Sequence, residues 1–193
     1  MIKADKSNKT KIAEILTRSF NDNQSANWVI GAGKKRIKKL TGLMNYAYSL
    51  CVINDGVYLS KDNQGAIIFD YPNRSTYTFK RFLEDINFIL QVIGLGRLVC
   101  VLRRENYIKK YHPKTDYIYL WFLGVNPEKQ GKGTGEKLLQ DLLDIADKEE
   151  LPVYLETSTP RNLNFYKKFG FYIYHEWNAS FIGFTVWFMK RNC

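Results

Sequence analysis

Apolar positions recur at helical spacing over the first fifty residues. The apolar positions of the first pattern are Ile12, Ile15, Leu16 and Phe20. Because they lie three and four residues apart, they predict an amphipathic helix over residues 10–20. The polar stretch 21–27 predicts a loop, and a second helical pattern runs from about Lys34 to Val52. The chain is therefore expected to begin with two helices.

Shorter patterns typical of β-strands follow. The turn signal Asn54-Asp55-Gly56 precedes two apolar runs within residues 57–71, and these runs flank the turn sequence KDNQG. This arrangement predicts a hairpin of two short strands. From Ser75 to about Tyr111 the pattern is helical again, with a break expected at Gly94-Leu95-Gly96.

The second half of the chain alternates strands and helices. Residues 117–125, YIYLWFLGV, are apolar or aromatic throughout, which is typical of a central strand covered on both faces. A helix is predicted over residues 134–149, and VYLET at 153–157 predicts another buried strand. The apolar stripe of that helix consists of Leu138, Leu139, Leu142, Ile145 and Ala146.

The last elements predict a short helix and two strands. Thr159-Pro160 resembles a helix start, RNLNFYKKF supplies the helix, and Gly170 is a plausible C-terminal cap. FYIYHEW and SFIGFTVWFM then predict two strands joined around Asn178-Ala179. The order of elements predicts mixed α and β structure, an α/β fold class, in a single domain spanning residues 1–193.

Composition agrees with one soluble domain and bounds its partners. The chain has 45% hydrophobic and 25% charged residues, and Lys and Arg outnumber Asp and Glu by 29 to 19, for a net charge of +10. A positive field favours anionic partners such as nucleic acid, a membrane surface or a phosphorylated small molecule. The basic residues are scattered, however, and the densest run, KKRIKK at 34–39, is typical of the solvated face of a helix. Nucleic acid is therefore not the expected partner.

Cysteines and apolar stretches indicate the compartment. Cys51, Cys100 and Cys193 are widely spaced and lack His partners at metal-site spacing, so they predict free thiols, a reducing compartment and no metal. The N-terminal stretch is too polar for a secretory signal. A helix that spans a bilayer needs roughly 20 apolar residues. The segment 88–102 is shorter than this and is interrupted by Gln91, Arg97 and two glycines. We expect a cytoplasmic protein with no membrane partner.

The most informative local motif is QGKGTG at 130–135, placed between a strand and a helix. Glycines let backbone N–H groups at a helix N-terminus approach an anion closely, and Lys132 adds a mobile charge. A P-loop would need Ser or Thr after Lys132, where Gly133 stands, and a Rossmann fingerprint would need a glycine at Glu136. Taken alone, the glycines are also compatible with an ordinary turn into a helix.

The surrounding sequence resembles the GCN5-related N-acetyltransferase (GNAT) family. LGVNPEKQGKGTGEKLL is similar to the family signature, in which Gln130, Gly133 and Gly135 fill the Gln/Arg-x-x-Gly-x-Gly/Ala positions. LETSTPRNLNFYKKFGF resembles the later strand of the family and its helix that carries a tyrosine. Together these motifs cover residues 117 to about 173. The resemblance implies a GNAT-like acyl-CoA N-acyltransferase fold, a central mixed sheet with splayed strands flanked by helices.

The resemblance also implies a cofactor site and a reaction. Acetyl-CoA, as co-substrate, would lie between the splayed strands, with its acetyl carbonyl and pantetheine bonded to the backbone of Leu123, Gly124 and Val125. The pyrophosphate would be bound by the N–H groups of Gln130, Gly131, Lys132, Gly133, Thr134 and Gly135. The expected reaction is direct attack of a primary amine on the thioester, with one strand N–H stabilising the developing oxyanion.

Several side chains carry two interpretations. The resemblance makes Tyr166 the acid that protonates the leaving CoA thiolate and makes Asn162 a pantetheine ligand. Tyr166 is also compatible with a core aromatic role, and Asn162 with bonding local backbone at a helix start. Glu156, at the end of the second buried strand, is the candidate general base or a structural carboxylate.

Aromatic and histidine side chains are less decisive. Tyr117, Tyr119 and Trp121 alternate with Ile118, Leu120 and Phe122, so they predict one aromatic face that either lines the acceptor pocket or packs in the core. For His112 and His175, the sequence identifies no partner.

The leading hypothesis is an acetyl-CoA-dependent N-acetyltransferase that acts on a small-molecule amine. Residues 116–193 would bind acetyl-CoA, and residues 1–115 would supply the acceptor side, with Trp28, Tyr46, Tyr48 and Tyr71 as candidates for acceptor contacts. The alternatives are a non-catalytic CoA-binding sensor and a basic nucleic-acid-binding protein. Either a monomer or a homodimer is compatible with the sequence.

Overall fold

The computed structural model describes residues 1–74 and 77–193. The helices are α1 (Lys9–Ser19), α2 (Gln24–Ile30), α3 (Arg36–Cys51), α4 (Phe79–Phe88), α5 (Leu95–Lys110), α6 (Thr134–Lys148) and α7 (Pro160–Lys168). The strands are β1 (Ile2–Lys3), β2 (Val57–Leu59), β3 (Gly65–Asp70), β4 (Ile118–Val125), β5 (Val153–Thr157), β6 (Tyr172–Trp177) and β7 (Val186–Arg191).

The strands form one sheet in the order β1-β2-β3-β4-β5-β7-β6. Strands β4 and β5 are parallel, and every other neighbouring pair is antiparallel. The α/β fold with a mixed sheet is therefore confirmed.

The parallel strands separate soon after they start. β4 and β5 pair only at Ile118–Val153 and Tyr119–Tyr154. Beyond these pairs, β4 continues to bond β3, and β5 bonds β7 along its whole length. The facing edges of β4 and β5 therefore open into a cleft at their carboxyl ends, as the predicted splay requires.

Helices cover both faces of the sheet. On one face, α6 and α7 bury a cluster that contains Leu139, Leu155 and Tyr166. On the other face, α1, α2 and α3 bury Ile15, Met44 and neighbouring residues against β2 and β3. Helix α5 packs on β6 and β7 in a separate aromatic cluster. The cleft between β4 and β5 is thus bounded by helices on both sides.

Most predicted elements are confirmed, but two short ones were missed. The stretch 21–27, predicted to be a loop, contains the start of α2, because the Asn23 side chain accepts a hydrogen bond from the Ala26 N–H and caps the helix. Strand β1 has only two residues and was not predicted. In the last predicted strand, only Val186 onward joins the sheet.

In the helical region predicted from Ser75, the first described helix is α4. Ser75 itself lies outside the described residues, and α4 starts at Phe79, where Thr78 caps it by accepting a bond from the Arg81 N–H. The predicted break is confirmed at Gly94, which has φ 80°, and the helical segments on its two sides are bent by 114°. Among the described residues, no single helix is both long and apolar enough to cross a bilayer; these two bent segments meet that test only when taken together.

A β-bulge corrects the predicted alternation of β4. Ile68 faces Phe122 and Phe69 faces Leu120, which leaves Trp121 as an extra residue on β4. Phe122 therefore packs with α1 and α3, on the same side as Trp121, whereas Ile118 and Leu120 pack with α6. The prediction that Phe122 shares a face with Ile118 and Leu120 is wrong, because the extra residue shifts the alternation by one position.

Candidate active site

The glycine loop leads into α6 with its backbone exposed. Gly131 and Gly133 have φ of 77° and 79°, a conformation that residues with a Cβ rarely adopt. A Cβ added at either glycine would meet no other described atom within 4 Å. Gly133 caps α6 without a side-chain hydrogen bond. The first-turn N–H groups and the positive end of the helix dipole are thus available to an anion.

Side chains on either side hold the loop in place. The Gln130 side-chain amide donates to the Val125 carbonyl at 3.2 Å, which ties the loop to the end of β4. The Thr134 hydroxyl donates to Asp62 in the β2–β3 turn at 3.2 Å. Lys132 is exposed. The polar side chains of Gln130 and Thr134 therefore position the backbone, and Lys132 is free to reach a bound anion.

The end of β4 has one bonded and one open edge. Leu123, Gly124 and Val125 pair with β3, and their other edge faces the cleft. A Cβ at Gly124 would lie 2.8 Å from the Ser19 Oγ and 2.9 Å from the Leu16 Cδ2. Glycine is therefore required there because α1 packs directly on the strand.

Tyr166 lies on α7, on the α6 side of the sheet. Its side chain is 8% exposed and packs between Phe165 and Phe171. Among the described residues, its hydroxyl has no hydrogen-bond partner. Burial raises the pKa of Tyr166, so the phenol keeps its proton at neutral pH.

Asn162 lies one helical turn before Tyr166. Its side-chain amide donates to the Thr157 hydroxyl at 3.4 Å, at the end of β5. This hydrogen bond is long and Asn162 lies beside the cleft. Asn162 is therefore still compatible both with binding pantetheine and with a local structural role at the start of the helix.

Glu156 belongs to a buried hydrogen-bond network on the opposite side of the sheet. One carboxylate oxygen lies 2.7 Å from the His112 Nε2, and the other accepts a bond from the Tyr119 hydroxyl at 2.7 Å. The His112 Nδ1 lies 3.0 Å from the Tyr117 hydroxyl. The side chains of Glu156 and His112 are only 6% and 8% exposed. Both carboxylate oxygens are thus held in fixed directions.

The pKa values of the two tyrosines in this network are strongly shifted. Burial, and next the negative charge of Glu156, raise the pKa of Tyr119 and Tyr117 well above the ordinary value. Both phenols therefore keep their protons at neutral pH.

His112 is the functional candidate that sequence reasoning could not find. It follows the end of α5, and 44 positions separate it from Glu156. No local spacing signals such a contact. His175 is placed elsewhere: its ring stacks on Tyr111 with centroids 3.7 Å apart and contacts the Tyr107 hydroxyl at 3.0 Å.

The acceptor-side candidates separate into different environments. Tyr46 packs edge-on against Trp121, with ring centroids 6.2 Å apart, and donates to Asp85 at 2.7 Å. Trp28 packs against Phe181. The Tyr48 hydroxyl donates to the Asp5 carbonyl, and the Tyr71 hydroxyl donates to Glu149 near the end of α6. Tyr46 is thus the candidate that adjoins the aromatic face of β4.

Helix α5 is tied to α2 by a buried arginine. Arg104 donates to the Ser25 hydroxyl at 2.6 Å and to Glu105 at 2.5 Å. The Ser25 N–H donates in turn to the Ser158 hydroxyl at 3.3 Å, just after β5. These bonds connect α5 and α2 to the mouth of the cleft. Among the described residues, no group of three or more His, Cys, Asp or Glu side chains could hold a metal ion.

The splayed sheet and the glycine loop define an acyl-CoA transferase type of fold, and sequence comparison agrees. Residues 70–171, more than half of the chain, match the model of the acetyltransferase (GNAT) family. The chain belongs to this family, which confirms the resemblance seen in the sequence.

Individual relatives are more distant or only partly covered. A Schizosaccharomyces pombe protein described as an uncharacterized N-acetyltransferase is 45% identical over 53 residues, which are 28% of this chain and 22% of that protein. The chain thus covers less than a quarter of this relative. A Corynebacterium glutamicum structure described as histone acetyltransferase HPA2 and related acetyltransferase has 18% identity and a TM-score of 0.71, covering 99% of this chain and 94% of that one.

Arylalkylamine N-acetyltransferase 2 from Aedes aegypti has 16% identity and a TM-score of 0.64, covering 98% of this chain and 96% of that one. At these identities, the two structures show that the fold is shared.

Proposed function

We propose that this protein transfers the acetyl group of acetyl-CoA to the primary amine of a small molecule. The observation that carries the proposal is the open edge of β4 beside a glycine loop at the N-terminus of α6. Acetyl-CoA supplies an activated acetyl thioester when bound. The residues present fit it, because unpaired strand amides suit a pantetheine chain and open positive-φ glycines suit a pyrophosphate.

In this proposal, the cofactor site is built mainly from backbone. The peptide groups of Leu123, Gly124 and Val125 bond the pantetheine, and one of their N–H groups stabilises the oxyanion. The N–H groups of residues 130–135 bind the pyrophosphate, with Lys132 adding charge. Asn162 bonds the pantetheine from the opposite wall of the cleft.

Tyr166 is the proposed general acid. Its burial and raised pKa keep the Tyr166 Oη protonated at physiological pH, and its hydroxyl has no competing partner among the described residues. The Oη can therefore release its proton to the departing thiolate, provided that the site stabilises the resulting phenolate.

Glu156 is the proposed base, and His112 holds its carboxylate in place. Glu156 Oε1 accepts the proton of the attacking amine, and the His112 Nε2–H donates to the same oxygen at 2.7 Å. The Tyr119 hydroxyl holds the second oxygen of the carboxylate and fixes its direction.

Substitution of the base tests this assignment. We expect Glu156→Gln to lower kcat by about 10²-fold, because the amide has the same size but accepts no proton. The dissociation constant for acetyl-CoA should not change. Glu176→Gln, in an exposed position on β6, is the matched control. Equal kcat values for both variants would remove Glu156 from the mechanism.

A small-molecule acceptor is supported by the aromatic wall above the cleft. Trp121 lies between Tyr119 and Tyr46, with ring centroids 6.4 and 6.2 Å away, and these rings can pack against a compact apolar amine. The related structures are described for different acceptors, one for histones and the other for arylalkylamines, so neither name selects an acceptor. Residues 1–115 are proposed to determine that choice.

Calorimetric titration with acetyl-CoA tests the cofactor site. We expect the native protein to bind in the micromolar range and Gly133→Glu to abolish binding, because the substitution places a carboxylate where the phosphate would lie. Gly183→Glu is the matched control, since Gly183 has φ 76° and similarly open surroundings but lies in the turn before β7. If both variants bind as the native protein does, the loop is only a turn.

A non-catalytic CoA sensor is distinguished from an enzyme by turnover. A panel of amines with acetyl-CoA should give thiol release that depends on the amine. CoA binding without turnover of any amine would favour the sensor. DNA binding that weakens steeply with salt would favour the nucleic-acid alternative.

A further inference from the structure

The two helices between β3 and β4 carry an apolar surface that no other part of the described chain, residues 1–74 and 77–193, covers. Eight of the fourteen exposed large apolar side chains among the described residues lie there. They are Phe79, Phe82, Leu83, Ile86, Leu90, Leu95, Val99 and Leu102, and together they form the α4–α5 surface. Single exposed apolar residues are ordinary, but a concentration of this kind marks an interaction site.

Helical spacing places these side chains in two adjoining stripes. Positions 79, 82, 83, 86 and 90 follow one face of α4 and of the π-helical turn after it (Ile89–Ile93). Positions 95, 99 and 102 follow one face of α5. Opposite these stripes, Val92 of the turn after α4 is buried toward α3, and Ile93 and Val101 are buried against Val29 of α2. The stripes are thus the outward side of the two helices.

Basic residues border the corner between the two helices. Arg97 packs on Gly31, where an added Cβ would lie 3.0 Å from the Arg97 Cδ, and Val92 packs on Gly42 of α3. These contacts place the corner against Gly31, which ends α2, and against Gly42 of α3. Lys34, Lys35 and Lys38 are exposed. The basic run that stands out in the sequence therefore begins three residues after Gly31, which Arg97 of α5 contacts.

We propose that the α4–α5 surface docks on the surface of an anionic phospholipid bilayer. Apolar side chains would enter the boundary between headgroups and acyl chains, and the neighbouring lysines would contact lipid phosphates. A second copy of this chain is the less favourable occupant, because it would bring two sets of like charges together and each chain carries +10. The sequence predicted no membrane partner on the ground that a spanning helix was lacking, but docking in the interface needs no spanning helix.

Vesicle sedimentation tests the proposal independently of catalysis. The native protein should sediment with vesicles in which a third of the phosphatidylcholine is replaced by phosphatidylglycerol, and much less with phosphatidylcholine alone. Binding should weaken as salt rises. Replacing Lys34 and Lys35 by Ala should weaken it by about fivefold per lysine.

The apolar part is tested with matched variants. Leu90→Glu combined with Leu95→Glu should abolish vesicle binding, since these side chains are 58% and 68% exposed and can be replaced without disturbing the core. Ile53→Glu is the control, because Ile53 is 65% exposed but lies at the other end of α3 from Lys34. Equal binding by the double variant and the control would overturn the proposal.

A fluorophore on Cys100 reports which occupant covers the surface. Cys100 is exposed on α5 and Cys51 is buried, so Cys193→Ser leaves Cys100 as the reactive thiol. An environment-sensitive dye there should shift to the blue when anionic vesicles are added. No shift, or a dimer in sedimentation velocity that the Leu90 and Leu95 substitutions dissociate, would contradict lipid docking, and the dimer would assign the surface to a second copy.

Discussion

One hydroxyl, that of Tyr166, carries the proposed acid step. Tyr166→Phe removes only that oxygen, and the ring remains packed between Phe165 and Phe171. We expect kcat to fall by about 10²-fold, the usual size of a general acid contribution. Steady-state kinetics measure kcat, and calorimetry should give an unchanged dissociation constant for acetyl-CoA. Tyr172→Phe, at the exposed sheet edge, is the control. A kcat within twofold of native for Tyr166→Phe would return this residue to a purely structural role.

The pKa of His175 predicts how the free energy of unfolding depends on pH. Burial lowers the pKa of His175, while the charge of Glu176 acts in the opposite direction. Because the pKa is lower in the folded chain, the unfolded chain binds more protons between the two pKa values. The stabilisation that this histidine contributes is therefore present above its ordinary pKa near 6.5 and is lost as pH falls through its folded pKa.

Urea denaturation of the native protein and of His175→Gln, across this pH range, measures the effect. The free energy of unfolding should fall more steeply with decreasing pH in the native protein. The comparison isolates the contribution of His175 from the pH dependence of the rest of the chain. Parallel pH curves for the two proteins would contradict the assignment to His175.

At the scale of elements, the sequence predicted what local patterns determine. The glycine loop before α6, the apolar stripe of α6 and the break at Gly94 each depend on residues that are close together in the sequence. All three are confirmed. The start of α2 was missed because an Asn cap and polar first turn resemble a loop. The bulge at Trp121 was missed because it depends on how β4 pairs with β3. The sequence of β4 alone does not determine that register.

The corner between α4 and α5 allows a matched test of backbone conformation. Gly94 has φ 80°, whereas Gly96 lies within α5 without a positive φ, and an added Cβ meets no described atom within 4 Å at either position. Gly94→Ala should lower the free energy of unfolding by about 1–2 kcal/mol because alanine is strained there. Gly96→Ala should raise it by up to about 1 kcal/mol because alanine favours a helix.

Urea denaturation of the two variants measures whether each substitution lowers or raises the free energy of unfolding. Losses of the same size at both positions would show that the corner tolerates no side chain. Such a result would assign the effect to crowding rather than to backbone conformation.

For the whole molecule, the site was predictable only in part. The family motifs record the loop and the strands that form the cleft, so their places followed from the sequence. The network of Glu156, His112 and Tyr119 was not predictable, because it joins the end of α5 to two separate strands. The partners of Glu156 come from the insertion between β3 and β4 as well as from the motif region, and this insertion shows no pattern beyond helical spacing.

The cleft also predicts how ligand binding affects the stability of the fold. Only two residue pairs join β1–β4 to β5–β7, so a ligand that bonds both sides of the cleft should stabilise the whole sheet. At about 100 times its dissociation constant, acetyl-CoA should add about 2.7 kcal/mol and raise Tm by about 5–10 °C. Differential scanning calorimetry should show this shift in Gly183→Glu and not in Gly133→Glu. Hydrogen exchange should slow at Leu123–Val125 and at residues 130–135. A rise in Tm without slower exchange at these positions would mean that acetyl-CoA binds elsewhere on the molecule.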